Sequence, residues 1–252
     1  MSIDYTLCPY RFTPDPPAMI AFLEALGLQS VTRAESGTFA VLAGRSGRVA
    51  VHEAHLQSDG SRPVETSLNF EAEDAQQAAD ALRAQGLEAT VWDEAFGKLA
   101  GALSPLGYAV WVDEVMQDLY GGYRMEEPDG ASSIGVVAVH GSPDLDADTE
   151  FFAHFGYRSA DGDSTYRSLR APGGVIWMNA LSGEPTLTKP GDFFGPSALV
   201  ELAFETTEPL PALVERLLRA GYADAELVEE KGRHVTVTDP DGQYVEVYPA
   251  PE

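Results

Sequence analysis

Apolar residues recur along this chain in two rhythms that alternate four times: short runs at strand spacing and longer stripes at helical spacing. Ile3 to Phe12 predicts a strand. The turn Thr13-Pro-Asp-Pro-Pro17 then opens a helix with the apolar stripe Met19, Ile20, Phe22, Leu23 and Leu26, and Gly27 is its stop. Residues 29–54 carry short β patterns broken by glycines and end in Arg48-Val-Ala-Val-His-Glu-Ala54. A second pass predicts a strand at Thr66 to Glu71, a helix at Asp74 to Gln85 and strands through Val112. A third predicts a strand at Ile134 to His140, a helix near Asp146 to Phe155 and strands through Ala180. A fourth predicts a strand at Leu199 to Glu205, a helix at Leu210 to Ala220 and the final strands.

These passes are copies of one unit. Ser67-Leu-Asn-Phe-Glu before a helix ending in Gln-Gly86 returns as Glu201-Leu-Ala-Phe-Glu before a helix ending in Ala-Gly221. Phe22-Leu-Glu-Ala-Leu-Gly27 has its counterpart in Phe151-Phe-Ala-His-Phe-Gly156, and Ser104-Pro-Leu-Gly-Tyr-Ala-Val-Trp-Val112 in Asp239-Pro-Asp-Gly-Gln-Tyr-Val-Glu-Val247. The chain therefore reads as an α+β protein of four βαβββ modules. They form two tandem domains, residues 1–116 and 134–252, joined by a polar linker, 117–133, in which Tyr120 and Tyr123 suggest packing on a surface. At 252 residues each half is long enough to bury its own core.

Charge and composition narrow the function. A net charge of −24 with only three lysines argues against nucleic acid and anionic membrane as partners, and suits a cationic ligand as well as simple solubility. No apolar run reaches membrane-spanning length and the N-terminus lacks a signal core, so a soluble, cytoplasmic protein is expected, monomer or homodimer. The single cysteine, Cys8, rules out an intrachain disulfide and predicts a buried thiol. The last strand concentrates the candidate chemistry. The turn Asp239-Pro-Asp-Gly242 feeds a strand in which Glu246 shares a face with Tyr244 and Tyr248, while Val245 and Val247 point the other way. His234, on the strand before, is either a satisfied histidine or a neighbour of Glu246.

The fourfold module, the helix-end Leu26-Gly27, Phe204-Glu ahead of a helix ending in Ala-Gly, and Asp239-Pro-Asp-Gly followed by Val-Glu together resemble the vicinal oxygen chelate superfamily of glyoxalases, bleomycin-resistance proteins and extradiol dioxygenases. The resemblance implies curved mixed sheets forming cups, with helices outside, and in catalytic members a divalent metal held by His and Glu from the first and last strands of modules. Carried over, Glu246 matches the terminal-strand glutamate and Glu201 takes a place usually held by His. His140 is the third donor of an alternative metal set, and the other first-strand position falls near Val136. In the first half the matching positions read Tyr5, His52 or Glu53, Ser67 and Trp111.

Neither half offers a complete ligand set, so no cofactor is expected and a divalent ion is the alternative. The main expectation is metal-independent binding of a small aromatic or cationic organic molecule. Its cups would be lined by Tyr5, His52, Trp92, Trp111, Trp177, Asn179, Glu201 and Glu246, and covered by Phe193 or Phe194 from the long loop Ser182 to Pro196. The rival is a lyase, isomerase or dioxygenase using Glu246, Glu201 and a histidine on a divalent ion.

Overall fold

The structure, a computed structural model, describes residues 3–57, 60–94, 96–118, 121–128, 131–183, 187, 196–230 and 232–251. Four modules follow one another. The first is β2 (Tyr10–Thr13), α1 (Pro16–Leu26), β3 (Gln29–Ala34), β4 (Phe39–Ala43) and β5 (Arg48–Glu53), preceded by the short β1 (Thr6–Leu7). After β6 (Glu65–Ser67) the second comprises β7 (Asn69–Ala72), α2 (Ala75–Ala84), β8 (Ala89–Glu94), β9 (Gly97–Leu103) and β10 (Ala109–Glu114). After β11 (Tyr123–Met125) the third comprises β12 (Ile134–Ser142), α3 (Leu145–Ala153), β13 (Arg158–Gly162), β14 (Tyr166–Ala171) and β15 (Gly174–Ala180). The fourth comprises β16 (Val200–Thr206), α4 (Leu210–Arg219), β17 (Glu226–Val228), β18 (His234–Thr238) and β19 (Tyr244–Pro249).

The repeat is visible in backbone chemistry. All four helices among the described residues are followed by a glycine at positive φ, Gly27 (106°), Gly86 (90°), Gly156 (84°) and Gly221 (100°), the left-handed conformation that satisfies the last helical carbonyls without a Cβ clash. Three helices start on an aspartate whose carboxylate accepts from the first-turn amides: Asp15, Asp74 and Asp144. The fourth starts on Pro209, with no side-chain cap.

The described strands form three mixed sheets, of five, six and eight strands. Two differences from the sequence-based elements have simple causes. The strand expected over Ile3 to Phe12 is cut at Cys8-Pro9, where proline lacks the amide a ladder needs, and its two pieces join different sheets. The expected linker contains β11, which pairs with β3 and sets Tyr123 edge-on against Phe39 at 6.1 Å.

The chain divides into two compact units. The first holds residues 1–9, 66–121 and 138–201; the second holds 10–65, 122–137 and 202–252. The first is built on the sheet β1-β7-β10-β9-β8 and on β13-β14-β15-β12. Its core is aromatic: Phe70 stacks on Phe155 at 4.8 Å, with Tyr5, Phe151, Phe152 and Tyr157 around them, all buried. The β14–β15 turn closes on the N-terminal segment. Leu7 N donates to the Gly173 carbonyl at 2.8 Å, and a β-carbon on Gly173 would lie 2.2 Å from the Tyr5 carbonyl oxygen. Backbone cannot swing away as a side chain can, so Gly173→Ala is expected to lower stability by about 1–3 kcal/mol. A urea midpoint unchanged from wild type would contradict that contact.

The second unit is built on β11-β3-β4-β5-β2-β6 and on β16-β19-β18-β17. There α1 buries Met19, Ile20, Phe22, Leu23 and Leu26, as its stripe predicts, and α4 buries Leu210, Leu213 and Leu217. Arg216 of α4 donates to the Ala25 carbonyl at 2.7 Å and pairs with Glu208 at 2.5 Å, so one guanidinium serves the open C-terminal end of α1.

Candidate functional site

The β18–β19 hairpin of the second unit carries the first candidate. Strand alternation buries Val235, Val237, Val245 and Val247 and puts His234, Thr236, Glu246 and Tyr248 on the opposite face. On that face Tyr248 stacks on the His234 ring at 4.7 Å and its hydroxyl donates to Glu246 Oε2 at 3.1 Å. His234 Nδ1 lies 2.7 Å from the Gly232 carbonyl, which can only accept. In the neutral ring this nitrogen therefore carries the proton, and Nε2 presents its lone pair 3.6 Å from Glu246 Oε1. Glu246 keeps half of its side-chain surface open while His234 is 8% exposed, so the pair has a buried base and an accessible carboxylate.

The turn before Glu246 is held from below by a group that sequence reasoning missed. Arg11, on β2, is 2% exposed, and its guanidinium bonds Asp239 at 2.5 Å, Asp241 at 2.9 Å and Gln243 at 3.1 Å. Thr13 adds a hydroxyl to Asp241 at 2.8 Å, and Asp239 accepts the amides of Asp241 and Gln243, both at 2.9 Å. Burial pushes the Asp239 carboxyl up from its ordinary value, and the guanidinium offsets part of that rise. The aspartates of Asp239-Pro-Asp-Gly thus fold the turn and anchor it to β2, which fixes where β19 begins.

In the same unit an aromatic row crosses the sheet. The pairings Phe12↔His52 and Phe39↔His52 place three rings side by side, with centroids 5.5 and 5.9 Å apart, and Tyr10 and Tyr123 extend it. His52 is half-buried there and its Nδ1 lies 2.7 Å from the Glu53 carbonyl.

The first unit carries the second candidate, a cleft of about 280 Å³ lined by Val139 and Gly141 of β12, Asn179 of β15, and Leu181, Leu199 and Glu201. Trp177 lies two residues before Asn179 on β15 and is half-exposed. Trp92 and Trp111 sit 5.5 Å apart on β8 and β10, half-exposed, and the Trp111 indole N–H donates to the Ser197 hydroxyl. Deeper in this unit the Tyr108 hydroxyl donates to Asp148 Oδ1 at 2.5 Å, and His140 Nε2 meets Asp148 Oδ2 at 3.1 Å. All three side chains are at most 1% exposed.

Neither a protein-family model nor a curated protein matches the sequence. Solved structures do. Homoprotocatechuate 2,3-dioxygenase from Arthrobacter globiformis superposes with a TM-score of 0.57 at 13% identity, over 99% of this chain and 80% of that one. The homoprotocatechuate 2,3-dioxygenase of Brevibacterium fuscum gives 0.59 at 13% identity, over 98% and 72%. BphC, a halotolerant catechol dioxygenase, gives 0.54 at 15% identity, over 99% and 86%. This chain has the vicinal oxygen chelate fold.

On that fold the expected positions can be placed one by one. Glu246 stands on β19 with half of its side-chain surface open. His140 does not join it as a donor: it points into the core, where Asp148 occupies its Nε2, because it falls on the buried phase of β12. Tyr5 is likewise core rather than cup wall. Its ring packs on Phe155 at 5.1 Å, its hydroxyl donates to the Ala78 carbonyl at 3.2 Å, and burial pushes its pKa up to about 12. Asn179 and Glu201 meet at one cleft, and Trp92 and Trp111 meet each other. Phe193 and Phe194 lie outside the described residues.

No group of three or more His, Cys, Asp and Glu side chains suited to a metal gathers among the described residues. Glu246 with His234 nevertheless supplies two donors of the right kind. Ligand bonds of about 2.1 Å place two donors of one ion roughly 3–3.5 Å apart, close to the observed 3.6 Å, and the Nδ1–H anchored on a carbonyl aims the other ring nitrogen outward. The alternation of β18 and β19 was the sequence signal for this pairing; it needed only the hairpin register, which the Asp239-Pro-Asp-Gly turn sets.

Proposed function

We propose that this chain is an enzyme of the vicinal oxygen chelate class that acts on a small organic molecule bearing neighbouring oxygen donors, with Glu246 and His234 as its working pair. The supporting observation is the hairpin itself: an open carboxylate beside an imidazole lone pair, steadied by Tyr248 and by the Arg11 clamp under the turn. The named neighbours, 2,3-dioxygenases and a catechol dioxygenase, supply the substrate class by analogy of fold. A divalent ion bound here would polarise the substrate oxygens as a Lewis acid, with water and substrate completing its coordination. The chain's own groups position this pair. Glu246 presents its carboxylate on the open face of the hairpin, the Tyr248 hydroxyl holds Oε2 so that Oε1 faces His234, and His234 is kept in one tautomer by Gly232.

The test is titration of chelator-stripped protein with Mn(II), Fe(II) and Zn(II) by calorimetry, alongside Glu246→Gln and His234→Gln. About one ion per chain is expected, with affinity lowered at least about tenfold in each variant. Wild-type protein that takes up no ion, or variants that bind as tightly, would overturn the proposal. The row Phe12-His52-Phe39, with Tyr10 and Tyr123, favours a second reading, metal-independent binding of a planar molecule by stacking on that sheet. Under it, chelator leaves binding unchanged and Phe12→Ala weakens it.

A further inference from the structure

We infer that the cleft of the first unit is a recognition site for a small organic ammonium compound, in which Glu201 holds the charge, Asn179 a polar substituent, and the aliphatic wall the hydrocarbon body. The inference does not depend on the Glu246–His234 pair or on any metal. The cleft lies wholly within one compact unit and its volume, about 280 Å³, suits a metabolite-sized guest rather than a peptide or a large drug.

Three features of the lining select the ligand. First, among the described residues Glu201 makes no ion pair and no side-chain hydrogen bond, and no lysine or arginine lines the cleft. An open carboxylate over an apolar floor, in a chain of net charge −24, attracts a cation and repels carboxylates and phosphates. Second, the Asn179 amide is also without a side-chain partner among the described residues, and it offers both a donor and an acceptor to the same space. Third, the wall is aliphatic and deliberately narrow at one point. Leu181 is a large apolar side chain left 38% exposed, and it lies directly over Gly141, where a β-carbon would come within 2.7 Å of Leu181 Cδ1. Glycine at that position lets the leucine lie flat against β12 as the floor, while Val139 and Leu199 continue the surface. A charged group alone would favour inorganic cations, but this floor would leave them half desolvated; an ammonium with a hydrocarbon body satisfies both halves.

The experiment uses the full chain in the presence of chelator, with benzylammonium and cyclohexylammonium as probes and benzyl alcohol and benzoate as their neutral and anionic counterparts, followed by calorimetry or by protein-detected NMR. Saturable binding of the ammonium probes is expected, with benzyl alcohol and benzoate at least tenfold weaker. Glu201→Gln should lower ammonium affinity roughly ten- to hundredfold, the range for a hydrogen bond to a charged partner. Leu181→Ala should lower it several-fold for both probes. Glu150→Gln, an exposed carboxylate on α3, should leave it unchanged and serves as the charge control. Equal binding of benzyl alcohol, no effect of Glu201→Gln, or no saturable binding at millimolar probe would each overturn the inference. Because chelator is present throughout, failure of the metal titration above and failure of this assignment are read separately.

Discussion

Arg11→Met lowers the free energy of unfolding by about 3–5 kcal/mol, the expected cost of removing one partner from a buried ionic cluster. The guanidinium is 2% exposed and faces two carboxylates whose side chains are 3% and 2% exposed, so deleting it strands Asp239 and Asp241 away from water. The pH dependence follows with a definite sign. Asp239 already has a folded pKa above its ordinary 3.8, with burial the main cause, so its contribution to stability is full below 3.8 and is lost as pH rises through the folded value. Without the offsetting guanidinium that value moves higher still. The variant's deficit should therefore be largest at neutral pH and shrink as pH falls toward about 4.5, where more of the Asp239 carboxyl is protonated. Urea unfolding of both proteins at the two pH values measures it. A deficit under about 1 kcal/mol at neutral pH would show that the cluster is solvated. Adding Asp239→Asn and Asp241→Asn to Arg11→Met should recover part of the loss, since amides are far cheaper to bury than unpaired charges.

That cluster also shows how far the sequence could be read. Module order, the four helices and their glycine stops were legible because they rest on local chemistry that recurs from module to module: an apolar stripe and, after each described helix, a glycine that tolerates positive φ. The face of Glu246 was legible for the same reason, since period-two alternation needs no partner strand. What lies beyond the alternation was not. Asp239-Pro-Asp-Gly announced a turn but not the arginine that grips it, because Arg11 and Asp239 are more than two hundred residues apart in sequence and an arginine between Tyr10 and Phe12 reads as an exposed strand position. Tyr5 was misplaced because the strand it was assigned to breaks at Cys8-Pro9: the first strand of the first module is β2, and Tyr5 lies before β1, outside it. Asn179 and Glu201 were named from module positions, yet only the course of Leu181 over Gly141 shows that they share a cleft.

His140 carries the second large effect, and it separates a core histidine from a metal donor. Asp148 is fully buried and accepts from the Tyr108 hydroxyl at 2.5 Å and from His140 at 3.1 Å, so it is the acceptor that makes both buried donors tolerable. Asp148→Ala should cost about 3 kcal/mol or more, because two donors lose their partner and a cavity opens beneath α3. Tyr108 gives an independent signal. Burial first, and the neighbouring carboxylate second, hold its hydroxyl well above the ordinary tyrosine value of 10, so its contribution persists up to pH 10 and is lost only as pH climbs through the raised value. Removing the carboxylate takes away the second cause, and the tyrosine absorbance titration should move toward lower pH in Asp148→Ala. His140→Asn should weaken the fold by a smaller amount and leave divalent-ion stoichiometry untouched, whereas His234→Gln should do the reverse. An ion lost with His140→Asn while the protein stays folded would return His140 to the metal set and sink the assignment of this trio to the core.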